Sequence, residues 1–404
     1  MSRIVDRFGI CCLICGSALA LFVSPGAQAK GFAVLYSFAG GSDGIWPEAD
    51  LIRDENGNLY GTTDYGGGQG CNNSNECGTV FKLAPDGTET VLHAFTGGRD
   101  GSDPFASLIM DKNGNLYSTT NSGGRDNVGT VFKLAPDGTE TVLHAFTGGE
   151  FNFDGGYPYA GLIEDRDGNF YGTTGFDGAF SGGTVFRLAP GGKEKVLHAF
   201  GNGSDGWEPY ARLVRDKSGN LYGTTSYGGG TGCFGTGCGT VFKLAPDGTE
   251  TVLYAFTGGS DGNGPYAGLI EDKNGNLYGT TVQGGGTGCN DGGCGIIFKL
   301  APDGTETVLH AFTGGADGLY PFAGLIEDKN GNLYGTASAG GGDGNGTVFK
   351  LAPDGTETVL HAFTGGSGGA GPYAGLIKDA NGNLYGTTYA GGAYGYGTVF
   401  RVKK

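Results

Sequence analysis

Basic residues are scarce in this 404-residue chain. Lysine and arginine together number 25, against 41 aspartates and glutamates, which gives a formal charge of −16. A surface of that charge repels nucleic acid, and no cluster of basic residues interrupts it. We therefore expect no nucleic-acid partner.

Long apolar runs are also missing after the N-terminal segment. A positively charged start precedes the apolar stretch Phe8–Val23, and a small-x-small cleavage site follows at Ala27–Ala29. The pattern predicts a signal peptide over 1–29, a mature chain that begins at Lys30, and a secreted or periplasmic location. An uncleaved membrane anchor is the alternative, but the run is short and no second one follows. We expect no membrane contact after cleavage.

No stretch between turn residues is long enough for an ordinary helix. Glycine, at 88 residues, alternates instead with short β-branched and aromatic segments. Four segments recur in fixed order, seven times each, and their length and composition are typical of β-strands. They are Val-Leu-His-Ala-Phe, Ala-Gly-Leu-Ile-Glu-Asp, Asn-Leu-Tyr-Gly-Thr-Thr and Gly-Thr-Val-Phe-Lys-Leu, as at 142–146, 160–165, 220–225 and 239–244.

Tight turns join these segments into four-stranded meanders. Asn-Gly supplies the positive φ of a hairpin turn, and Ala-Pro-Asp-Gly-Thr-Glu suits a type I turn with a glycine bulge. The mature chain opens with a lone outer strand, Val34–Phe38, and lacks an outer strand after Gly397–Val402. We predict an all-β, seven-bladed β-propeller of four-stranded antiparallel blades, closed by the N-terminal strand completing the last blade. An open β-solenoid is the alternative.

The repeats define the predicted domain boundaries. One propeller domain is expected over 30–404, and we expect it to be a monomer; an assembly or adhesion module, which would form a stable oligomer, is the alternative. The blades are expected at about 47–95, 104–146, 158–200, 209–256, 265–312, 321–363, and 372–402 together with 34–38.

The repeats resemble the GloVer, or choice-of-anchor, tandem-repeat family of bacterial exported proteins. The resemblance rests on Asn-Leu-Tyr-Gly-Thr-Thr, the Gly-Gly that follows it, and Gly-Thr-Val-Phe-Lys-Leu, and it covers nearly all of the mature chain. More loosely, the blades are similar to those of NHL and SMP-30-like propellers. The family implies export and repetition without a known activity. Its members often carry a C-terminal anchoring segment, whereas this chain stops at Arg401–Lys404, so we expect a released protein.

Six of the nine cysteines follow the predicted signal peptide and form three close pairs. Each pair lies in the loop between the third and fourth segments of one repeat, where the two arms of the loop are already close. In an oxidising compartment we predict the disulfides Cys71–Cys77, Cys233–Cys238 and Cys289–Cys294. Metal binding is the alternative, but the spacings do not match zinc sites and no histidine lies nearby.

Histidine occupies a single position of the repeat. The five histidines lie in five different outer strands and cannot meet, which argues against a catalytic triad or a histidine-bound metal, and we predict no catalytic residue. They are His93, His144, His198, His310 and His361.

Calcium is the one cofactor that the sequence suggests, and only faintly. The Asp-x-Asn-Gly-Asn turns lack the acidic twelfth residue of a calcium loop, since Ser122 stands there when counting from Asp111. We interpret these turns as hairpin turns. The aspartate of Gly-Gly-x-Asp-Gly is interpreted as a turn residue, with a ring of weak cation sites as the alternative. It recurs as Asp43, Asp100, Asp205, Asp261 and Asp317.

Departures from the repeat mark a candidate ligand site. The residue after the recurring proline is aromatic in six repeats and Glu48 in the first; Asp50 and Arg212 replace an inner-strand glycine, and Trp46 and Trp207 lie in the same loops. A closed propeller gathers these loops around one mouth of its channel. We hypothesise that these five residues bind a glycan, which would stack on tryptophan, or a protein. Drift and packing between blades is the alternative.

These observations favour an exported, non-enzymatic binding or scaffold protein. Near-identical blades build a surface rather than a unique catalytic constellation. The alternative is a metal-assisted hydrolase or lyase, as the SMP-30-like resemblance suggests. Such an enzyme needs different acidic ligands from several blades, whereas Glu48 and Asp50 come from one repeat.

Overall fold

The computed structural model confirms the all-β, seven-bladed propeller. It describes residues 31–403 apart from 69–76, 150–152, 202, 287 and 290–291. Seven four-stranded antiparallel sheets follow one another along the chain. The described residues contain three single-turn 3-10 helices and no α-helix. The 3-10 helices are Gly41–Asp43, Cys233–Gly235 and Gly366–Gly368.

Each blade runs from a two-residue inner strand to a six-residue outer strand. The first four blades comprise β2 Ile52–Arg53, β3 Leu59–Thr63, β4 Thr79–Leu83 and β5 Glu89–Ala94; β6 Ile109–Met110, β7 Leu116–Thr120, β8 Thr130–Leu134 and β9 Glu140–Ala145; β10 Ile163–Glu164, β11 Phe170–Thr174, β12 Thr184–Leu188 and β13 Glu194–Ala199; and β14 Val214–Arg215, β15 Leu221–Thr225, β16 Thr240–Leu244 and β17 Glu250–Ala255. The last three comprise β18 Ile270–Glu271, β19 Leu277–Thr281, β20 Ile296–Leu300 and β21 Glu306–Ala311; β22 Ile326–Glu327, β23 Leu333–Ala337, β24 Thr347–Leu351 and β25 Glu357–Ala362; and β26 Ile377–Lys378, β27 Leu384–Thr388, β28 Thr398–Val402 and β1 Phe32–Ser37.

The N-terminal strand closes the ring, as the sequence predicts. Strand β1 pairs antiparallel with β28, with Phe32 opposite Val402 and Ser37 opposite Thr398. The backbone N–H of Phe38 then donates to the carbonyl oxygen of Gly397 at 3.0 Å. The last blade is therefore built from both ends of the described chain.

The hydrophobic core consists of seven separate clusters, each shared by two neighbouring blades. One of them joins the last blade to the first and contains Phe38, Leu51 and Tyr385. Seven sheets in an open row would share only six such interfaces. The seventh cluster therefore distinguishes the closed propeller from the open solenoid.

A phenylalanine lying over a glycine sets the packing inside each blade. A Cβ built on Gly61 would lie 2.7 Å from Cζ of Phe81, and the glycines of five further blades meet the equivalent phenylalanine at 2.6–2.8 Å. The second blade has Ser118 instead, whose hydroxyl donates to the carbonyl oxygens of Ala106 and Ser107. The glycine of Leu-Tyr-Gly-Thr-Thr therefore makes room for a buried ring.

A threonine hydroxyl ties each blade to the next. The first threonine of the Thr-Thr pair donates to the carbonyl oxygen of the alanine before the next inner strand, at 2.9 Å for Thr336 and Ala374. The equivalent hydroxyl of Thr387, in the last blade, is buried without a hydrogen-bond partner. The other bonds are Thr62–Ala106, Thr119–Ala160, Thr173–Ala211, Thr224–Ala267 and Thr280–Ala323.

The recurring histidines contact the recurring aspartates at the outer rim of the ring. Nε2 of His144 lies 3.2 Å from Oδ2 of Asp154, and three equivalent pairs lie at 3.4–3.7 Å. In the sixth blade Gly368 stands in place of the aspartate, and His361 stacks instead on Phe32 of the neighbouring blade, with ring centroids 3.7 Å apart.

Six outer strands begin with a glutamate that faces this rim. One carboxylate oxygen of each glutamate is buried without a hydrogen-bond partner: Glu89, Glu140, Glu194, Glu250, Glu306 and Glu357. Burial raises the pKa of five of these carboxyl groups to about 7, with neighbouring aspartates adding to the rise: Glu89, Glu194, Glu250, Glu306 and Glu357.

We predict that the propeller loses stability as the pH rises from 7 to 8. The folded chain releases protons from the rim glutamates in this range, whereas in the unfolded chain they ionise near pH 4.5. Burial lowers the pKa of His198, His310 and His361, which makes stability rise with pH, but mainly below pH 7. Thermal unfolding should therefore give a lower Tm at pH 8 than at pH 7.

Matched variants distinguish the effect of the rim glutamates on this change in Tm from the effect of other surface carboxylates. Glu306→Gln combined with Glu357→Gln should make the fall in Tm smaller, and Glu55→Gln, at an exposed turn, should leave it unchanged. A parent Tm that is constant or rises over this range would contradict the assignment.

We also predict that the threonine bridges stabilise the ring one by one. Thr336→Val should lower the free energy of unfolding by about 1–3 kcal/mol, because it leaves a buried carbonyl without its donor. Thr387→Val is the matched control and should be neutral or stabilising, because that hydroxyl is buried without a partner. Urea denaturation measures both, and equal losses in the two variants would refute the bridges.

Candidate functional site

Three positions in each blade form the mouth of the central channel. We call the residue before the recurring proline the corner position, the residue after it the ring position, and the residue that follows the second strand from the centre the strand-end position. All three are described in every blade. Together they are called the channel mouth below.

The corner position has the same unusual backbone in all seven blades. Its φ is positive, at 58° for Trp46, 55° for Asp103, 57° for Tyr157, 58° for Glu208 and 58° for Tyr320, while the remaining two blades have glycine there. Positive φ is unfavourable for a residue with a side chain, by about 1 kcal/mol. Five blades thus keep a side chain where glycine would be less strained.

Hydrogen bonds on both sides hold the corner backbone in place. The N–H of Trp46 donates to the carbonyl oxygen of Tyr396 in the preceding blade, and the carbonyl oxygen of Trp46 accepts from the N–H of Asp64, both at 3.0 Å. The other six corners repeat both bonds at 2.7–3.2 Å. The frame is therefore constant, and only the side chain that it carries differs.

The ring positions form an arc of aromatic side chains around the mouth. Each ring contacts the next, with centroids 4.7–5.8 Å apart, and Glu48 occupies the gap between the last and the first. In order they are Phe105, Tyr159, Tyr210, Tyr266, Phe322 and Tyr373. We call this set the aromatic arc.

Glu48 lies beside the end of the aromatic arc. Burial raises the pKa of its carboxyl group to about 7. Its charge in turn raises the pKa of Tyr373 and Tyr389, after the larger effect of burial on each. Trp46 stacks on Tyr389 with centroids 4.9 Å apart, so the first and last blades meet here through aromatic rings.

Three more carboxyl groups belong to the channel mouth. Asp103 and Glu208 occupy corner positions, and Asp64 occupies a strand-end position. Glu208 accepts a hydrogen bond from the hydroxyl of Tyr210 at 2.7 Å, and burial raises its pKa. Burial raises the pKa of Tyr159, and the charges of Glu208, Asp103 and Asp64 raise it further. Acidic groups from three blades therefore act on one phenol of the arc.

The channel below the mouth is a cavity of about 720 Å³ lined by residues of all seven blades, at or just before their inner strands. Asp50, Ser107 and Arg212 line it where four other blades have glycine. Oδ1 of Asp50 accepts the N–H of Gly375 at 2.6 Å. Burial raises the pKa of Asp50, while this hydrogen bond and the charge of Arg212 oppose the rise.

The five candidate residues from the sequence do not all converge. Trp46 and Glu48 lie at the mouth, and Asp50 and Arg212 lie in the channel. Trp207 instead lines a separate cavity of about 480 Å³ with the loop of its own blade, and it stacks on Tyr227.

Trp207 aligns with a different residue of the repeat than Trp46 does. It pairs with Tyr227 as Ile45 pairs with Tyr65, whereas Trp46 is equivalent to Glu208. The sequence analysis identified Trp46 but none of the other four corner side chains, which are Asp103, Tyr157, Glu208 and Tyr320. Their common place before the recurring proline was the available signal.

Two of the predicted disulfides are present. Cys233 bonds to Cys238 and Cys289 to Cys294, each within the loop between the second and third strands from the centre. Cys71 lies outside the described residues, as do the predicted signal peptide and its cleavage site.

Among the residues that the structure describes, no three His, Cys, Asp or Glu side chains are grouped so that they could hold a metal ion. In the same residues, no helix is long and apolar enough to cross a membrane.

Solved structures with a similar fold include two of an extracellular domain. The extracellular domain of BT4673 from B. thetaiotaomicron, described as part of a one-component system, aligns with 92% of this chain at 10% identity and a TM-score of 0.54. A second structure, described as part of a hybrid two-component system, aligns with 91% at 11% identity and a TM-score of 0.56. This chain spans only 40% and 39% of those chains. At these identities the similarity establishes the fold alone.

A gluconolactonase, XC5397 from Xanthomonas campestris, aligns over 76% of this chain and 86% of its own length, at 18% identity with a TM-score of 0.43. No curated protein matches the chain in sequence. The Gloeobacter/Verrucomicrobia repeat family matches residues 22–152, 69–291 and 286–404. These matches together cover the propeller from its first strand to its last, and the chain belongs to the Gloeobacter/Verrucomicrobia repeat family.

Proposed function

We propose that this protein is an exported binding protein that takes a glycan at the channel mouth. One observation carries the proposal: five blades keep a side chain at a strained corner position that glycine fills in the other two. Those side chains are Trp46, Asp103, Tyr157, Glu208 and Tyr320. Strained backbone conformations of this kind cluster at active sites and ligand-binding sites.

The aromatic arc supports a glycan as the ligand. Aromatic faces bury the apolar face of a sugar, and the hydroxyl groups of tyrosines bind its polar edge. The side chains of the arc are only partly buried, and Tyr373 is 37% exposed. The mouth therefore offers a broad aromatic surface to solvent rather than a closed core.

Buried polar atoms behind the arc support the same proposal. Nδ2 of Asn121 and Oγ of Ser226 have no hydrogen-bond partner, although these strand-end residues are only 6% and 0% exposed. A ligand rich in hydroxyl groups supplies partners when small side-chain movements bring these atoms into reach.

Export is supported by three independent features. Disulfides form and persist in oxidising compartments outside the cytosol, and two are present. The sequence begins with a secretory signal pattern. The domains of BT4673, which have a similar fold, are described as extracellular. We place the protein in the periplasm or the medium, as a monomer.

Replacing mouth residues by the glycine of other blades tests the function without disturbing the fold. Trp46→Gly with Tyr157→Gly should keep the Tm, since glycine relieves the positive φ, and should weaken binding of the best glycan from an array at least tenfold, about 1.4 kcal/mol. Isothermal titration of the mature chain measures the affinity.

Matched aromatic variants away from the mouth control this experiment. Phe180→Ala removes an exposed ring from an outer loop, and Trp207→Ala removes the ring in the separate cavity. Both should retain parental affinity. If the glycine variant binds as tightly as the parent, the mouth is not the site.

A further inference from the structure

The channel mouth carries negative charge and no positive charge. Across the corner, ring and strand-end positions of all seven blades, every one of which is described, there is no lysine, arginine or histidine. Four carboxyl groups occupy these positions: Glu48, Asp64, Asp103 and Glu208. The cations nearest to the mouth line the channel beneath it, together with Asp50 and Glu164: Arg53, Arg212, Arg215 and Lys378.

These carboxyl groups are spread along the aromatic arc rather than gathered at one point. Asp64, Asp103 and Glu208 all act electrostatically on Tyr159, and Glu48 acts on Tyr373 at the far end. No three of them form a group that could hold a metal ion. The arrangement suits a cation that is large, extended and organic better than a small ion.

Aromatic faces and carboxylates together are the usual recognition elements for an ammonium group. The negative face of an aromatic ring attracts a cation within about 6 Å, and the attraction grows when water is excluded. A carboxylate beside the ring adds a charge-assisted hydrogen bond. At the mouth the carboxylate of Glu208 accepts a hydrogen bond from the hydroxyl of Tyr210 at 2.7 Å, so a carboxylate and a ring of the aromatic arc lie side by side there.

We propose that the glycan bound at the channel mouth carries protonated amino groups, as an oligomer of glucosamine does. This inference rests on the proposed function, because the aromatic arc supplies stacking for the sugar rings. Asp103 and Glu208 bind the ammonium groups on one side of the mouth, and Glu48 binds them on the other. A neutral glycan of the same length uses the arc but brings no positive charge to these carboxylates.

Two oligosaccharides of equal length provide the test. The probes are chitosan hexasaccharide, with six free amino groups, and its fully N-acetylated counterpart, each titrated against the mature chain at low salt. Tryptophan fluorescence reports binding in a Trp207→Phe background, which leaves Trp46 as the reporter. We expect the free-amine oligomer to bind at least tenfold more tightly and to lose this advantage at high salt.

Charge-neutral variants assign the effect to the mouth. Asp103→Asn with Glu208→Gln should bring the two oligomers within threefold of each other, and Glu55→Gln, which removes a charge from an exposed turn, should preserve the full ratio. Hexalysine, which carries similar charge without sugar rings, should bind at least tenfold more weakly than the free-amine oligomer.

The outcomes distinguish this inference from the function on which it rests. Equal affinity for the two oligomers, with binding still lost on Trp46→Gly when isothermal titration measures it, overturns the amino preference and leaves the glycan-binding function intact. Equal or tighter binding of hexalysine overturns the assignment to a glycan in favour of a basic peptide. Failure of both oligomers and of every glycan on an array overturns the inference and the proposed function together.

Discussion

The packing of each blade against both its neighbours is the constraint on which this structure depends. A single four-stranded sheet has no partner of its own for its two apolar faces, so each face must be buried by the next blade. The seven shared clusters satisfy this requirement only because the ring closes through β1 and β28. Closure also fixes the direction in which all the inner loops point.

The channel mouth is a product of that closure. Hydrogen bonds from the preceding blade and from the strand end hold every corner in one backbone conformation, whatever residue stands there. A constant backbone that carries variable side chains is also found in other binding proteins, in which rigid strands position loops of different sequence. The chain can thus change its ligand by substitution without disturbing the core.

Much of this was predictable from the sequence, because the features that form the fold repeat. The strands, their antiparallel order, two of the disulfides and the closing role of Val34–Phe38 all followed from period and turn chemistry. The site was harder, because its residues are those that do not repeat. Trp46 and Trp207 share a loop type in sequence but differ by one position in register, which sends one to the mouth and the other to a separate cavity. The strained φ at the corners is also hidden, since non-glycine residues give no sign of it.

The unpartnered hydroxyl of Thr387 marks the one junction between blades that lacks its threonine bridge. Trp46 and Tyr389 stack across this same junction, beside Glu48. Any molecule that binds to those two rings therefore contacts the first blade and the last blade at the same time. A molecule that binds there stabilises the closed ring relative to the opened one. Local opening of the ring therefore becomes rarer as the concentration of that molecule rises.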